Sequence, residues 1–184
     1  KGAEDQPRAP TAAEAARIQA LRDSLGKIRP SYPDSINNGA DDDGSGTVSV
    51  LAIAEALAKS KVKPKRSGIF VWHTGEEKGL WGSAWFTDHP TVPRDSIVAQ
   101  LNMDMVGRGK ASDSTGAGPG GPSQLQLIGS RRLSTELGDL VEQVNTTGGH
   151  GFTFDYGLDA NGHPANIYCR SDHYMYARYG IPIA

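Results

Sequence analysis

Apolar residues along this chain follow a helical spacing in four segments. In the segment 11–26, apolar residues lie on one face, Thr11 and Glu14 have the spacing of a capping box, and Gly26 is the predicted stop. The other helical patterns cover 47–60, 80–87 and 133–144. Because the segment 47–60 is apolar on most faces, it is predicted to be a buried helix.

Shorter apolar runs between these segments predict strands. The runs at 69–73 and 97–103 are typical of strands covered on both faces, 125–128 predicts a short strand, and 180–184 predicts the opening of another. Strands that alternate with helices predict an α/β fold with a largely parallel sheet. In such folds ligands bind outside the carboxyl ends of the strands.

Two glycine-rich segments interrupt the pattern. The segment 37–46 is too rich in Gly, Asn and Asp to predict regular structure, and 107–122 predicts a mobile surface loop.

Composition narrows the class of protein. The 184 residues are enough for one layered core, and 19 Lys and Arg against 21 Asp and Glu give a net charge of -2. This balance provides no basic surface for nucleic acid or an anionic membrane. No apolar run approaches the ~20 residues that span a bilayer, and residues 1–4 do not begin a secretory signal. Cys169 is the only cysteine, so internal disulfides and cysteine-based zinc motifs are excluded.

Carboxylates follow two of the predicted strands. Glu76 and Glu77 come directly after Gly75, and Asp104 follows the next strand, while Asp42 lies in the loop before a helix. Because neighbouring side chains on an extended segment point to opposite sides, a turn after Gly75 is needed for both Glu residues to serve one site. Carboxylate oxygens bind zinc, and a free carboxylate beside a ligand can carry a proton. The pattern therefore indicates metal-assisted hydrolysis.

Four motifs in order resemble those of metallopeptidase family 28, which contains co-catalytic zinc aminopeptidases. They lie at 38–46, 75–77, 102–104 and 171–173, and the resemblance covers 34–184. It implies a three-layer α/β/α sandwich with a mostly parallel mixed central sheet. Residues 34–184 would then be a partial catalytic domain, and residues 1–33 a helical insertion or N-terminal segment.

The resemblance also implies a role for individual residues. It makes Asp42 the bridge between two zinc ions, Glu77 a ligand of one ion and Asp104 a ligand of the other. Glu76 would be the general acid/base, and the hydroxyl of Tyr168 would stabilise the oxyanion.

The histidine ligands of the family are missing from this sequence. Members have a His-x-Asp motif before the acidic loop and a further His after the strand that begins Gly-Ile-Pro, and neither is present. The expectation is therefore a chain truncated at both ends, whose metal site is completed by missing segments or by a second chain. His73 is predicted to be a core residue, and His173 is predicted to orient the site. The remaining histidines are expected in solvated loops: His89, His150 and His163.

The function expected from the resemblance is that of a zinc-dependent exopeptidase that removes N-terminal residues from peptides by means of a metal-activated water. A glutaminyl cyclase-like enzyme with one zinc, and a non-catalytic binding module related to peptidases, are the alternatives. A serine hydrolase is rejected because 171–173 are adjacent residues and no Gly-x-Ser-x-Gly elbow exists. The expected partner is a peptide substrate, without nucleic acid or membrane, and the expected location is secreted or periplasmic.

Overall fold

The computed structural model describes residues 9–28, 36, 38–107 and 123–184. The chain divides into two compact units, Lys1–Asn38 and Gly39–Ala184. Residues 1–8, 29–35 and 37, and residues 108–122 of the predicted glycine-rich loop, lie outside the described residues. The division into a helical insertion or N-terminal segment (1–33) and a partial catalytic domain (34–184) stays a prediction.

The first unit contains helix α1 (Ala12–Ile28). Its predicted capping box is confirmed, because the Thr11 amide donates to Glu14 Oε2 at 2.8 Å and the Glu14 amide donates to Thr11 Oγ1 at 3.4 Å. The prediction that Gly26 ends the helix is wrong. Nothing lies within 4 Å of a Cβ at Gly26, so this glycine costs the helix only its propensity, about 1 kcal/mol.

The second unit combines helices with a small parallel sheet, which confirms the α/β class. Its helices are α2 (Gly44–Lys59), α3 (Trp81–Asp88), α4 (Thr135–Thr147) and α5 (His173–Ala177). Strands β1 (Gln124–Gln126) and β2 (Thr153–Asp155) pair in parallel, with Leu125 opposite Phe154, and α4 connects them. In the described part of the chain, no helix is both long and apolar enough to cross a membrane.

Two predicted strands do not form as strands. The segment 69–73 has no strand partner among the described residues, and 97–103 makes only an isolated parallel bridge between Gln100 and Ile183. That bridge is supported by bonds from the Gln100 amide to Pro182 O at 2.9 Å and from the Asn102 amide to Ala184 O at 2.8 Å. The predictions at 69–73 and 97–103 were wrong because an apolar run becomes a strand only where a second backbone supplies hydrogen-bond partners.

Helix α2 also differs from its prediction. Val48, Leu51, Ile53 and Leu57 are between 38% and 61% exposed, so the helix is not buried. Its one buried residue is Gly46 in the first turn, where a Cβ would lie 2.2 Å from the carbonyl oxygen of Met103. The apolar faces are exposed because the described residues place little against the later turns.

The core of the second unit lies where α3 meets α5. Its buried members are Tyr176, Ala177, Ile181 and Ile183, with Phe86, Ile97 and Tyr168 packed against them. His73 joins this core: an imidazole nitrogen lies 2.9 Å from the Tyr176 hydroxyl, and its ring centroid lies 5.7 Å from that of Phe86. The prediction of His73 as a core residue is confirmed.

Burial lowers the pKa of His173, although the Tyr168 carbonyl and the charges of Asp104 and Asp172 act in the opposite direction. The unfolded chain therefore takes up a proton near pH 6.5 that the folded protein does not accept. The stability from neutral His173 is fully present above pH 6.5 and is lost as the pH falls through the lower folded pKa. We expect the free energy of unfolding, measured from pH 8 to 5, to fall less steeply in His173→Gln than in the unmodified protein. Equal slopes would contradict this.

Candidate active site

The two adjacent glutamates lie in a tight turn. Gly75 has a φ of +69°, a left-handed conformation that glycine adopts without steric cost, and Glu76–Lys78 form one turn of 3₁₀ helix. The turn is closed by hydrogen bonds from the Gly79 and Leu80 amides to the Glu76 carbonyl, both at 2.9 Å. The predicted turn after Gly75 is therefore confirmed.

Glu76 lies in a field of negative charge. It is half-buried, and burial is the main cause that raises its pKa to about 7. The charges of Asp104, Asp172, Glu77 and Asp42 raise the pKa further, in that order. A carboxyl with a pKa near neutrality can both accept and release a proton, which a general acid/base requires. The structure thus brings Glu76 within the electrostatic range of Asp42, Glu77 and Asp104.

The three consecutive aspartates before α2 have different environments. Asp43 Oδ1 accepts from the amides of Gly46 and Met105, both at 3.0 Å. Asp41 Oδ1 accepts from the Gly107 amide at 3.0 Å. The outer two carboxylates therefore join the loop before α2 to the loop after Asp104. Asp42 is exposed and makes no hydrogen bond to a described residue, so its carboxylate is available for a ligand.

Asp104 is held by a serine that the sequence did not single out for this role. Ser171 Oγ donates to Asp104 Oδ2 at 2.6 Å and accepts from Asn102 Nδ2 at 2.9 Å. These bonds fix the orientation of one carboxylate oxygen and leave the other free. The signal was the Ser-Asp-His motif, but the pairing across 67 positions could not be inferred from it.

The family resemblance implies that Asp104 is a zinc ligand, and on that basis we expect Ser171→Ala to lower zinc affinity or kcat/KM by about 10–100-fold, the usual effect of losing a residue that orients a metal ligand. Ser134→Ala is the matched control, because Ser134 caps α4 by accepting from the Leu137 amide at 3.1 Å. It should lower the thermal midpoint and leave zinc affinity unchanged. Equal zinc affinity in Ser171→Ala and the unmodified protein, measured by competition with a chelating dye, would contradict the role of Ser171.

Tyr168 lies in the 3₁₀ helix Ile167–Cys169. Its ring makes an edge contact with His173, with centroids 5.9 Å apart, and a ring nitrogen of His173 lies 2.8 Å from the Tyr168 carbonyl oxygen. The charge of Asp104 raises the pKa of His173, so His173 lies between Tyr168, which it contacts, and the carboxylates, whose charge it feels.

Asp172 is a further carboxylate that the sequence did not assign to the site. It directly precedes α5, and its charge raises the pKa of Glu76. Its buried Oδ1 has no hydrogen-bond partner among the described residues. A buried carboxylate oxygen without a partner, close enough to Glu76 for its charge to raise the Glu76 pKa, is costly to bury without a cation.

A metal ion fits the chemistry of these donors. Zinc accepts carboxylate oxygens, and the strongest charges acting on Glu76 are all negative. Nevertheless, no three His, Cys, Asp or Glu side chains converge closely enough to hold a metal ion within the described residues. The donor types therefore suit zinc, but the described residues alone do not form a metal site.

The family of this chain follows from a comparison with known protein families. The model of peptidase family M28 matches residues 18–184. The chain belongs to this family. It is 32% identical over 175 residues to leucine aminopeptidase 1 of Coccidioides posadasii (strain C735), an alignment that covers 91% of this chain and 40% of the relative.

Two further relatives, one bacterial and one fungal, match parts of this M28 chain. Leupeptin-inactivating enzyme 1 of Streptomyces exfoliatus is 36% identical over 80 residues, 42% of this chain and 18% of the relative. Leucine aminopeptidase 1 of Sclerotinia sclerotiorum is 32% identical over 172 residues, with coverage of 91% and 40%. The chain spans 40% of the length of the fungal relatives. No solved structure matches it.

Proposed function

We propose that this M28 family member is a zinc-dependent aminopeptidase that hydrolyses the N-terminal peptide bond of its substrates. The observation that carries the proposal is the position of Glu76. Its carboxyl is half-buried, has a pKa of about 7, and lies within the influence of four other carboxylates. This combination suits a residue that takes a proton from water and passes it to a leaving amine.

The proposed metal ligands are Asp42, Glu77 and Asp104. When bound, zinc supplies Lewis acidity toward the scissile carbonyl and makes a water molecule more acidic. Asp42 would serve both of two zinc ions, and Glu77 and Asp104 would serve one each. Asp42 is suited to that role because its carboxylate is exposed, whereas the carboxylates of Asp41 and Asp43 accept hydrogen bonds from backbone amides.

The remaining steps are assigned to residues of this chain. Glu76 accepts the proton of the attacking water and then protonates the amine as the peptide bond breaks. Ser171 keeps Asp104 Oδ2 in place through its 2.6 Å hydrogen bond. Tyr168 donates a hydrogen bond from its hydroxyl to the developing oxyanion. This hydroxyl is available for the role, since it has no acceptor among the described residues.

The fold and location also belong to this proposal. The parallel pair β1–β2 and the bridge from Gln100 to Ile183 support a three-layer sandwich with a mostly parallel central sheet. Export from the cytoplasm is proposed from the family resemblance alone.

The test is hydrolysis of leucine p-nitroanilide by the zinc-loaded full-length protein, with N-acetyl-leucine p-nitroanilide as the control substrate. The proposal predicts release of p-nitroaniline from the free amine only. Cleavage of the acetylated substrate would contradict an exopeptidase. Cyclisation of an N-terminal glutamine with no hydrolysis would favour the glutaminyl cyclase. No zinc binding and no turnover would favour the binding module.

A further inference from the structure

Arg132 packs directly against the ring of Tyr168. Its guanidinium carbon lies 4.3 Å from the ring centroid. The same guanidinium is anchored by Asp159, since Nε donates to Asp159 Oδ1 at 2.7 Å and Nη2 donates to the Asp159 carbonyl at 2.6 Å. The side chains of Arg132 and Asp159 are 30% and 13% exposed, so the pair is partly shielded from water. The guanidinium is thus fixed in place against the aromatic ring.

Other groups enclose the same tyrosine. A Cβ on Gly129 would lie 2.7 Å from Cε2 of Tyr168, so only glycine leaves room for the ring there. The Arg132 amide donates to the Gly129 carbonyl at 2.9 Å, which ties the cation to the residue behind the ring. Together with the bond between His173 and the Tyr168 carbonyl, these contacts hold the backbone and the ring of Tyr168.

We infer that Arg132 is a positioning residue that fixes the Tyr168 ring so that its hydroxyl can donate to the oxyanion of the substrate. This inference rests on the proposed function. A guanidinium over an aromatic face is attracted by the negative face of the ring, and this attraction favours one rotamer of the tyrosine. A misplacement of about 1 Å in a reacting group can cost about 100-fold in rate, so a fixed ring matters for turnover.

The charge of Arg132 acts on the phenol as well. Burial is the main cause that raises the pKa of Tyr168, and Asp159, Cys169 and Tyr174 raise it further. Arg132 is the group that lowers it. Removal of the guanidinium should therefore raise the phenol pKa.

Arg131 provides a matched control in the same turn. Its guanidinium pairs with Asp139 at 2.7 Å and with Glu142 at 2.9 Å, and it has no contact with Tyr168 among the described residues. Arg131→Met removes an equal charge and two ion pairs without changing the environment of the ring.

The experiment is a double-mutant cycle on hydrolysis of leucine p-nitroanilide by the zinc-loaded full-length protein. Arg132→Met should lower kcat by about 10–100-fold with little change in KM. In the Tyr168→Phe background the same substitution should have no further effect, because the hydroxyl that it positions is absent. Arg131→Met should retain the kcat of the unmodified protein.

A second measurement does not depend on turnover. The ultraviolet titration of Tyr168, obtained by subtracting the Tyr168→Phe spectrum, should move to higher pH in Arg132→Met. Thermal unfolding shows whether Arg132→Met folds. If it does not, Arg132→Lys replaces Arg132→Met in the cycle, because lysine keeps the positive charge and lacks the planar guanidinium.

Three results would overturn the inference. They are an equal fall of kcat in both backgrounds, an unchanged titration of Tyr168, and full activity of Tyr168→Phe. The proposed function fails separately, when the unmodified zinc-loaded protein does not hydrolyse the substrate at all.

Discussion

Replacing Glu76 by glutamine is expected to lower kcat by about 10²–10⁴-fold, the usual contribution of a general acid/base. Glutamine has nearly the same shape and cannot accept the proton of water. Zinc content should stay unchanged, because Glu76 is proposed to lie beside the ligands without binding the metal. The measurement is kcat for leucine p-nitroanilide, with zinc per chain determined on the same sample by elemental analysis.

Glu77→Gln is the matched control for this result. The two residues are adjacent in one 3₁₀ turn, and the substitutions remove the same charge. Glu77→Gln should lose zinc and activity together. Loss of zinc in Glu76→Gln, with retention in Glu77→Gln, would mean that the two roles are exchanged.

Replacing Asp42 by asparagine is expected to have the largest effect on metal content. Asp42 is proposed to bind both zinc ions. Its loss should therefore lower zinc affinity by more than about 100-fold, the upper end of the effect seen for residues that only hydrogen-bond to a metal ligand. Activity should fall with zinc occupancy. Isothermal titration with zinc gives the affinity and the number of sites.

Asp43→Asn tests whether this effect belongs to Asp42 or to its acidic loop. The amide oxygen of asparagine can still accept from the Gly46 and Met105 amides, and asparagine caps helices as well as aspartate does. This variant should keep both the fold and the zinc sites. An equal loss of zinc in Asp42→Asn and Asp43→Asn would contradict the specific role of Asp42.

Local features of the fold could be predicted from the sequence because they depend on neighbouring residues. The capping box of α1 and the turn at Gly75 each involve residues a few positions apart. The segment 69–73 could not be predicted in the same way. Its apolar run fits a buried strand, but strand formation also requires a partner that the described residues do not provide.

The candidate site shows the same division. The acidic residues could be selected from their positions after apolar segments and from the family motifs. The hydrogen bond from Ser171 to Asp104 and the packing of Arg132 on Tyr168 could not, because each joins segments that only the tertiary structure brings together. The exposed apolar face of α2 was missed for a related reason. The spacing of apolar residues predicts which face of a helix is apolar, but that face is buried only where other segments pack against it.

Hydrolysis of leucine p-nitroanilide before and after zinc removal tests the central claim most directly. The full-length protein should release p-nitroaniline when loaded with zinc, stop after dialysis against a chelator, and recover when zinc is restored. Stoichiometric zinc without hydrolysis, or hydrolysis that continues in the zinc-free protein, would contradict the assignment of a zinc aminopeptidase.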